Sequence, residues 1–154
     1  MTAVWRIGIE SPGYRANDLS SMGARLTGGR WNSEGVPMVY ASASIALAML
    51  ETLVHLGGGD LPFNRFLVRI DIPEAQWNAR SILEAPGGWD AIPAGITSRT
   101  AGDMWCAGAR SLLLAVPSVV VPEEHNILIN PRHADARLLN ATTVRRLAYD
   151  PRTG

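Results

Sequence analysis

The segment VYASASIALAMLETLVHLG, residues 39–57, constrains this chain more than any other, because it is apolar almost throughout and holds one acid. That acid, Glu51, is the only carboxylate between Glu34 and Asp60. The β-branched and aromatic residues at 37–41 suggest a strand. Residues 43–56 then read as a helix, opened by Ser42 or Ser44 and closed by the glycines at 57–59. Ile45, Leu47, Met49, Leu50, Leu53, Val54 and Leu56 cover nearly the whole circumference, the pattern of a helix buried between other elements. Glu51 and His55 are four residues apart and share the narrow polar stripe that remains. A carboxylate in such surroundings loses hydration, so it must gain hydrogen bonds and an arginine partner or do chemistry. From the residues alone, a structural Glu51–arginine pair and a functional acid stand level.

The rest of the chain sets bounds on that chemistry. At 154 residues, 47% hydrophobic and 18% charged, without repeats or a Ser- or Pro-rich linker, residues 1–154 read as a single domain. Fourteen basic and fourteen acidic residues cancel, so nothing in the overall charge favours nucleic acid or an anionic membrane as a partner. All the basic residues are arginine; a lysine Schiff base and a phosphate-loop lysine are therefore excluded. No apolar run is long enough to span a membrane, Cys106 has no partner for an internal disulfide, and the N-terminus lacks secretory character, which together predict a cytoplasmic protein.

Strands are also expected at 4–9, 65–72, 118–121, 126–129 and 144–149, the third and fourth of these pairing as a hairpin around PEEH. A second helix fits about 98–110, capped by Thr97 or Ser98, and the Gly/Pro-rich residues 85–95 form a long surface loop. Short strands without regular helical crossovers predict an α+β fold with a mixed or antiparallel sheet and flanking helices. The motifs GxGxxG, GxxxxGK[ST] and GxSxG are absent, which argues against a Rossmann dehydrogenase, a phosphate-loop NTPase and an α/β-hydrolase. His125 and His133 lack zinc-ligand spacing, and no metal is expected. Trp77, Trp89, Trp105 and Met49 read as packing residues.

Upstream of the helix, GGRWNSEG at 28–35 joins two permissive glycines to Arg30, Trp31 and Asn32: a planar anion fork, a flat apolar ring and an amide. By itself this is more often a tight turn leading into a packed tryptophan. With Tyr40 and Glu51 it supplies an anion binder, an aromatic plate and an acid, a set able to hold a nucleotide by its phosphates and act on its ribose.

WRIG at 5–8, GARLTGGRWNSEG, VYASASIALAMLETLVHL and VPSVVVPEEHNILINPRH together resemble the RES-domain family, toxins of bacterial type II toxin–antitoxin pairs named for Arg, Glu and Ser positions. The matching positions here are Arg30, Tyr40, Glu51 and Ser118, with Arg6 a further match. The resemblance implies a fold similar to that of ADP-ribosyltransferase toxins, NAD as the substrate consumed, and a cognate antitoxin with a helix-turn-helix region. It implies that Glu51 stabilises an oxocarbenium-like state at the ribose, that Arg30 and Arg6 grip the pyrophosphate, that Tyr40 stacks on or orients the nicotinamide ribose, and that Ser118 bonds the nicotinamide amide or ribose. His55 takes a supporting role.

The activity expected is therefore cleavage of the nicotinamide–ribose bond of NAD, with ADP-ribose passed to water or phosphate as glycohydrolase or phosphorylase. A mono-ADP-ribosyltransferase acting on a cellular protein is the alternative. A ribonuclease built on Glu51, His55 and Arg30, or a non-catalytic binding module, ranks lower.

Overall fold

A computed structural model describes residues 1–20, 27–56 and 64–148. Its centre is a seven-stranded sheet in the order β4-β5-β6-β2-β1-β3-β7. The strands are β1 (Thr2–Ile9), β2 (Val39–Ser42), β3 (Arg65–Ile72), β4 (Ser81–Ile82), β5 (Leu113–Pro117), β6 (His125–Ile129) and β7 (Asn140–Arg146). Only β4 and β5 run parallel; every other neighbouring pair is antiparallel, so the expected mixed sheet is what forms. Among the described residues, the α-helices that flank it are α1 (Ile45–Leu56), α2 (Glu74–Asn78) and α3 (Ile96–Gly108).

Alternation along the strands separates two apolar clusters. Val4, Val39, Ala41, Val68, Ile70, Ile127 and Ile129 meet on one face. Met38, Leu114, Val116 and Leu128 meet on the other, against Trp31 and Cys106 and beside Tyr40, Trp89 and Trp105. The two halves of the sheet, β4-β5-β6-β2 and β1-β3-β7, join through the single β1–β2 register pair Trp5↔Ser42. Eight consecutive pairs tie β1 to β3, by contrast. The sheet is therefore weakest in hydrogen bonding beside Ser42, where β2 turns into α1.

The differences from expectation have local causes. Residues 118–121 are not a strand: β5 is the run LLAVP at 113–117, which pairs with β6, and 118–124 make the turn between them. Ser118 decides this, because its Oγ accepts from Val120 N and Val121 N, both at 3.1 Å, and curls the chain out of the ladder. The last strand lies four residues earlier than predicted at its start, and α3 begins at Ile96 behind Gly95 with no side-chain cap. Helix α1 starts as predicted at a serine: Ser44 Oγ accepts from Leu47 N at 3.1 Å. The glycines at 57–59 lie outside the described residues.

Helix α1 is not buried all round. Leu47 and Ala48 are buried on a helix that lies against β1 and β2, burial of the leucine contributing about 1.5–3 kcal/mol. Leu50 and Val54, one turn apart on the outer side, remain exposed. Its apolar circumference thus exceeds what the sheet covers. Among the described residues no helix is long and apolar enough to cross a membrane.

Candidate functional site

The first polar group on the Tyr40 face of the sheet is built by the glycine turn. Gly28 takes φ +73°, and Gly29 N–H donates to Asn32 O at 3.0 Å, folding the chain back on itself. A Cβ on Gly29 would sit 2.6 Å from the Tyr40 hydroxyl, so only glycine lets that phenol in. There the hydroxyl accepts from Trp31 N–H at 3.1 Å and donates to Asn32 Oδ1. Burial raises the Tyr40 pKa and Asp103 adds to the effect, opposed by the Trp31 N–H and Arg30. Tyr40 is thus a protonated brace inside the turn.

Trp31 is buried and stacks on Trp89, with ring centroids 6.1 Å apart and planes at 18°, so its ring packs rather than forming an open plate. Arg30 Nη1 donates to Trp89 O at 3.0 Å and Ala91 O at 2.8 Å, tying the predicted 85–95 loop to the turn. Asp103 of α3 receives Ser33 N–H at 2.9 Å and Ser33 Oγ–H at 2.5 Å. A cleft of about 480 Å³ opens beside this assembly, lined by Gly28, Gly29, Asn32, Ser33, Pro93 and Arg99 among others. Its size suits a small-molecule ligand, although Glu51 is not on its wall.

The second polar group is centred on Glu51. Its Oε1 accepts from Ser118 Oγ at 2.5 Å and from Asn126 Nδ2 at 3.0 Å. Asn126 Oδ1 in turn accepts from Ser42 Oγ at 2.8 Å. No arginine pairs with Glu51 among the described residues, so the carboxylate is compensated by neutral donors alone. His55 bonds the backbone of Glu51: its Nδ1 lies 2.7 Å from the Glu51 carbonyl, which can only accept, so Nδ1 is the donor.

The two groups belong to one face. Tyr40 is paired in register with Leu128, and Ser42 with Asn126, so all four side chains project to the same side. Tyr40 and Ser42, two residues apart on β2, are separated by roughly 6.5 Å along the strand. The structure therefore brings Glu51 and Ser118 into contact and places Tyr40 and Arg30 in the neighbouring turn, with no direct bond between the two pairs among the described residues.

Arg6 is elsewhere. Trp5 is the register partner of Ser42, so Arg6, one residue on, projects to the opposite face with Val4 and Val68. It meets Tyr14 and Asp18, which partly offset the lowering of its pKa by burial, and its Nε is buried without a hydrogen-bond partner among the described residues. Asn126 is not among the residues marked by sequence, where Ser42 stands only as a candidate helix cap. The signal the sequence offers is a polar amide directly before the apolar run ILI.

Among the described residues no three His, Cys, Asp or Glu side chains converge to hold a metal ion. Comparison with known proteins shows the family and the fold. The chain is 51% identical over 154 residues to the Prs ADP-ribosylating toxin of Sphingobium sp. (strain YBL2), covering 98% of this chain and 96% of that one. It is 40% identical over 137 residues to Toxin Res of Photorhabdus laumondii subsp. laumondii, covering 88% and 86%. Among solved structures, a chain of the M. tuberculosis MbcT–MbcA toxin–antitoxin complex shares its fold, with a TM-score of 0.65 at 16% identity over 94% of this chain and 84% of that one. Residues 3–150 match the RES domain, and the chain belongs to the RES-domain family.

Proposed function

We propose that this chain is the toxin of a toxin–antitoxin pair and that it breaks the nicotinamide–ribose bond of NAD and passes on the ADP-ribosyl group. The observation that carries the reading is Glu51: a carboxylate in an apolar helix, held on one oxygen by two neutral donors and neutralised by no cation among the described residues. Cleavage sends the bonding electron pair to the pyridinium nitrogen, releasing neutral nicotinamide and leaving positive charge on the ribose. An unneutralised carboxylate beside that carbon stabilises it. Oε2, which has no hydrogen bond among the described residues, is the oxygen available for this or for a ribose hydroxyl.

Arg30 spends Nη1 on the carbonyls of Trp89 and Ala91, and its remaining donors would meet the pyrophosphate. Tyr40 shapes the turn that presents Arg30. Ser118 acts on the substrate through Glu51, since its proton and both lone pairs are already engaged. Arg6, on the other face, is left out of the reaction.

For the acceptor, similarity to a protein called an ADP-ribosylating toxin favours transfer to a protein side chain. Water or phosphate, the acceptors expected first from the sequence, form the second reading; they need no docking surface for a target. Relatives called toxins and the shared fold with a toxin–antitoxin complex support an antitoxin partner, and the family resemblance makes it a helix-turn-helix protein. The reaction belongs to the cytoplasm, where NAD is available, and calls for no metal and no direct contact with nucleic acid.

The test is to incubate the purified chain with NAD, with and without phosphate and a candidate protein acceptor, and to follow nicotinamide release alongside intact-protein mass. Release that falls on the order of 100-fold or more in Glu51→Gln is the expected result. No release from the wild type, or undiminished release from the variant, overturns the reading. A mass increment on the acceptor marks the transferase; free ADP-ribose or its phosphorylated form marks the second reading.

A further inference from the structure

The structure assigns to Asn126 the role of a positioning residue that, with Ser42 behind it, fixes which oxygen of Glu51 faces the substrate. The assignment rests on the reading of Glu51 as the acid of NAD cleavage. Asn126 stands on β6 directly opposite Ser42 on β2, so the two side chains are held at hydrogen-bonding range by the backbone ladder. Ser42 has one hydroxyl proton and donates it to Asn126 Oδ1 at 2.8 Å. The carboxylate settles the amide orientation: it can only accept, so Nδ2 points to Glu51 Oε1, 3.0 Å away, and Oδ1 is left to accept from Ser42, whereas the flipped amide would set oxygen against carboxylate.

Ser118 is equally committed. Its two lone pairs are occupied by Val120 N–H and Val121 N–H, so its proton is directed to the same Oε1. Two donors on one oxygen fix the plane of the carboxylate and leave Oε2 as the oxygen that turns toward the reacting ribose. Both donors are neutral, so the carboxylate is oriented without being neutralised, which a charged arginine partner would do. Strand register, side-chain amide and helix thus form one chain of contacts, Ser42 to Asn126 to Glu51, beside the single register pair that joins the halves of the sheet. Such a chain aligns the acid in the free protein, before substrate arrives.

The experiment compares Asn126→Ala, the near-isosteric Asn126→Asp, Ser118→Ala and the Asn126→Ala/Ser118→Ala double variant by nicotinamide release from NAD. Loss of alignment lowers kcat on the order of 10- to 100-fold in Asn126→Ala, with KM for NAD within about twofold. Asn126→Asp loses at least as much, because a carboxylate then faces a carboxylate in a side chain of the same shape. Since both donors serve one oxygen, the losses in the double variant are not the product of the single losses. A raised KM at unchanged kcat, or independent multiplicative losses, overturns the assignment.

A second measurement does not depend on turnover. The side-chain amide protons of Asn126, followed by NMR in the intact chain, shift in Glu51→Ala and in Ser42→Ala if the contact chain exists in solution. Resonances that stay in place in both variants refute it. A wild type that releases no nicotinamide while the amide resonances respond as expected removes the proposed activity and leaves the contact chain standing.

Discussion

Replacing Gly102 with alanine tests the packing that holds the glycine turn in place. Gly102 is buried in the middle of α3, where its backbone passes directly over Trp31. A Cβ there would lie 1.7 Å from Trp31 O and 2.7 Å from Trp31 C, both backbone atoms with no rotamer to escape into. Ordinary contact begins near 3.4 Å, so helix and turn must separate by about 3.4 − 1.7 = 1.7 Å. That retreat stretches the two Ser33–Asp103 bonds one residue further along the helix and loosens the seat of the Trp31–Trp89 stack.

The two contributions oppose each other. Helix propensity alone favours alanine by about 1 kcal/mol. Overpacking costs about 1–3 kcal/mol, and weakening hydrogen bonds to a charged acceptor adds about 1.5–3 kcal/mol. A net loss of roughly 1.5–5 kcal/mol follows, or a fall in Tm of roughly 3–20 °C for a domain of this size. Urea and thermal unfolding of Gly102→Ala measure it, with Gly108→Ala as the control: that glycine ends the same helix, and nothing lies within 4 Å of its added Cβ. The control is expected to be neutral or up to about 1 kcal/mol more stable. A Gly102→Ala protein as stable as the wild type would refute the close approach of α3 to the turn.

Further outcomes follow from the contacts of Tyr40, Arg30 and Ser118. Tyr40→Phe takes the acceptor from the Trp31 N–H and should cost about 1–3 kcal/mol by urea unfolding. Because the Tyr40 pKa is raised in the folded protein, the unfolded chain holds fewer protons above pH of about 10; wild-type stability should fall as pH climbs past that point, and Tyr40→Phe should fall less steeply. Arg30→Lys replaces a planar fork by a point donor, so the carbonyls of Trp89 and Ala91 lose their shared clamp; hydrogen exchange should accelerate in residues 85–95 while α1 is unchanged. Ser118→Ala leaves the amides of Val120 and Val121 without their acceptor and should cost about 1–3 kcal/mol in chemical unfolding, independently of any effect on NAD.

Much of this protein could be read from local pattern. The β-branched and aromatic residues clustered in VWRIGI and RFLVRIDI located β1 and β3, because such side chains suit a pleated, partly buried strand. Glu51 was conspicuous because an acid without hydration must find partners, and Gly28–Gly29 marked a turn because the backbone there demands permissive residues. The motifs around Arg30, Tyr40, Glu51 and Ser118 were enough to recognise the family.

Tertiary structure decided what those residues touch. Residues 118–121 have the composition of a strand, yet a single side-chain hydroxyl bound to two backbone amides turned them into a loop, a contest that propensity cannot weigh. The apolar girth of α1 suggested burial on every side, but how much of a helix is covered depends on how wide a sheet it meets, leaving Leu50 and Val54 outside. Arg6 and Arg30 look alike as anion binders in a linear chain; strand register sends Arg6 to the far face and leaves Arg30 beside Tyr40. Asn126 and Ser42 lie 84 residues apart in sequence and carry no motif that links them. They meet because β6 and β2 are neighbours, and a hydrogen bond between distant residues exists only once the chain between them has closed. The sequence by itself determined that Glu51 needed partners; the fold chose two neutral ones and put both on the same oxygen.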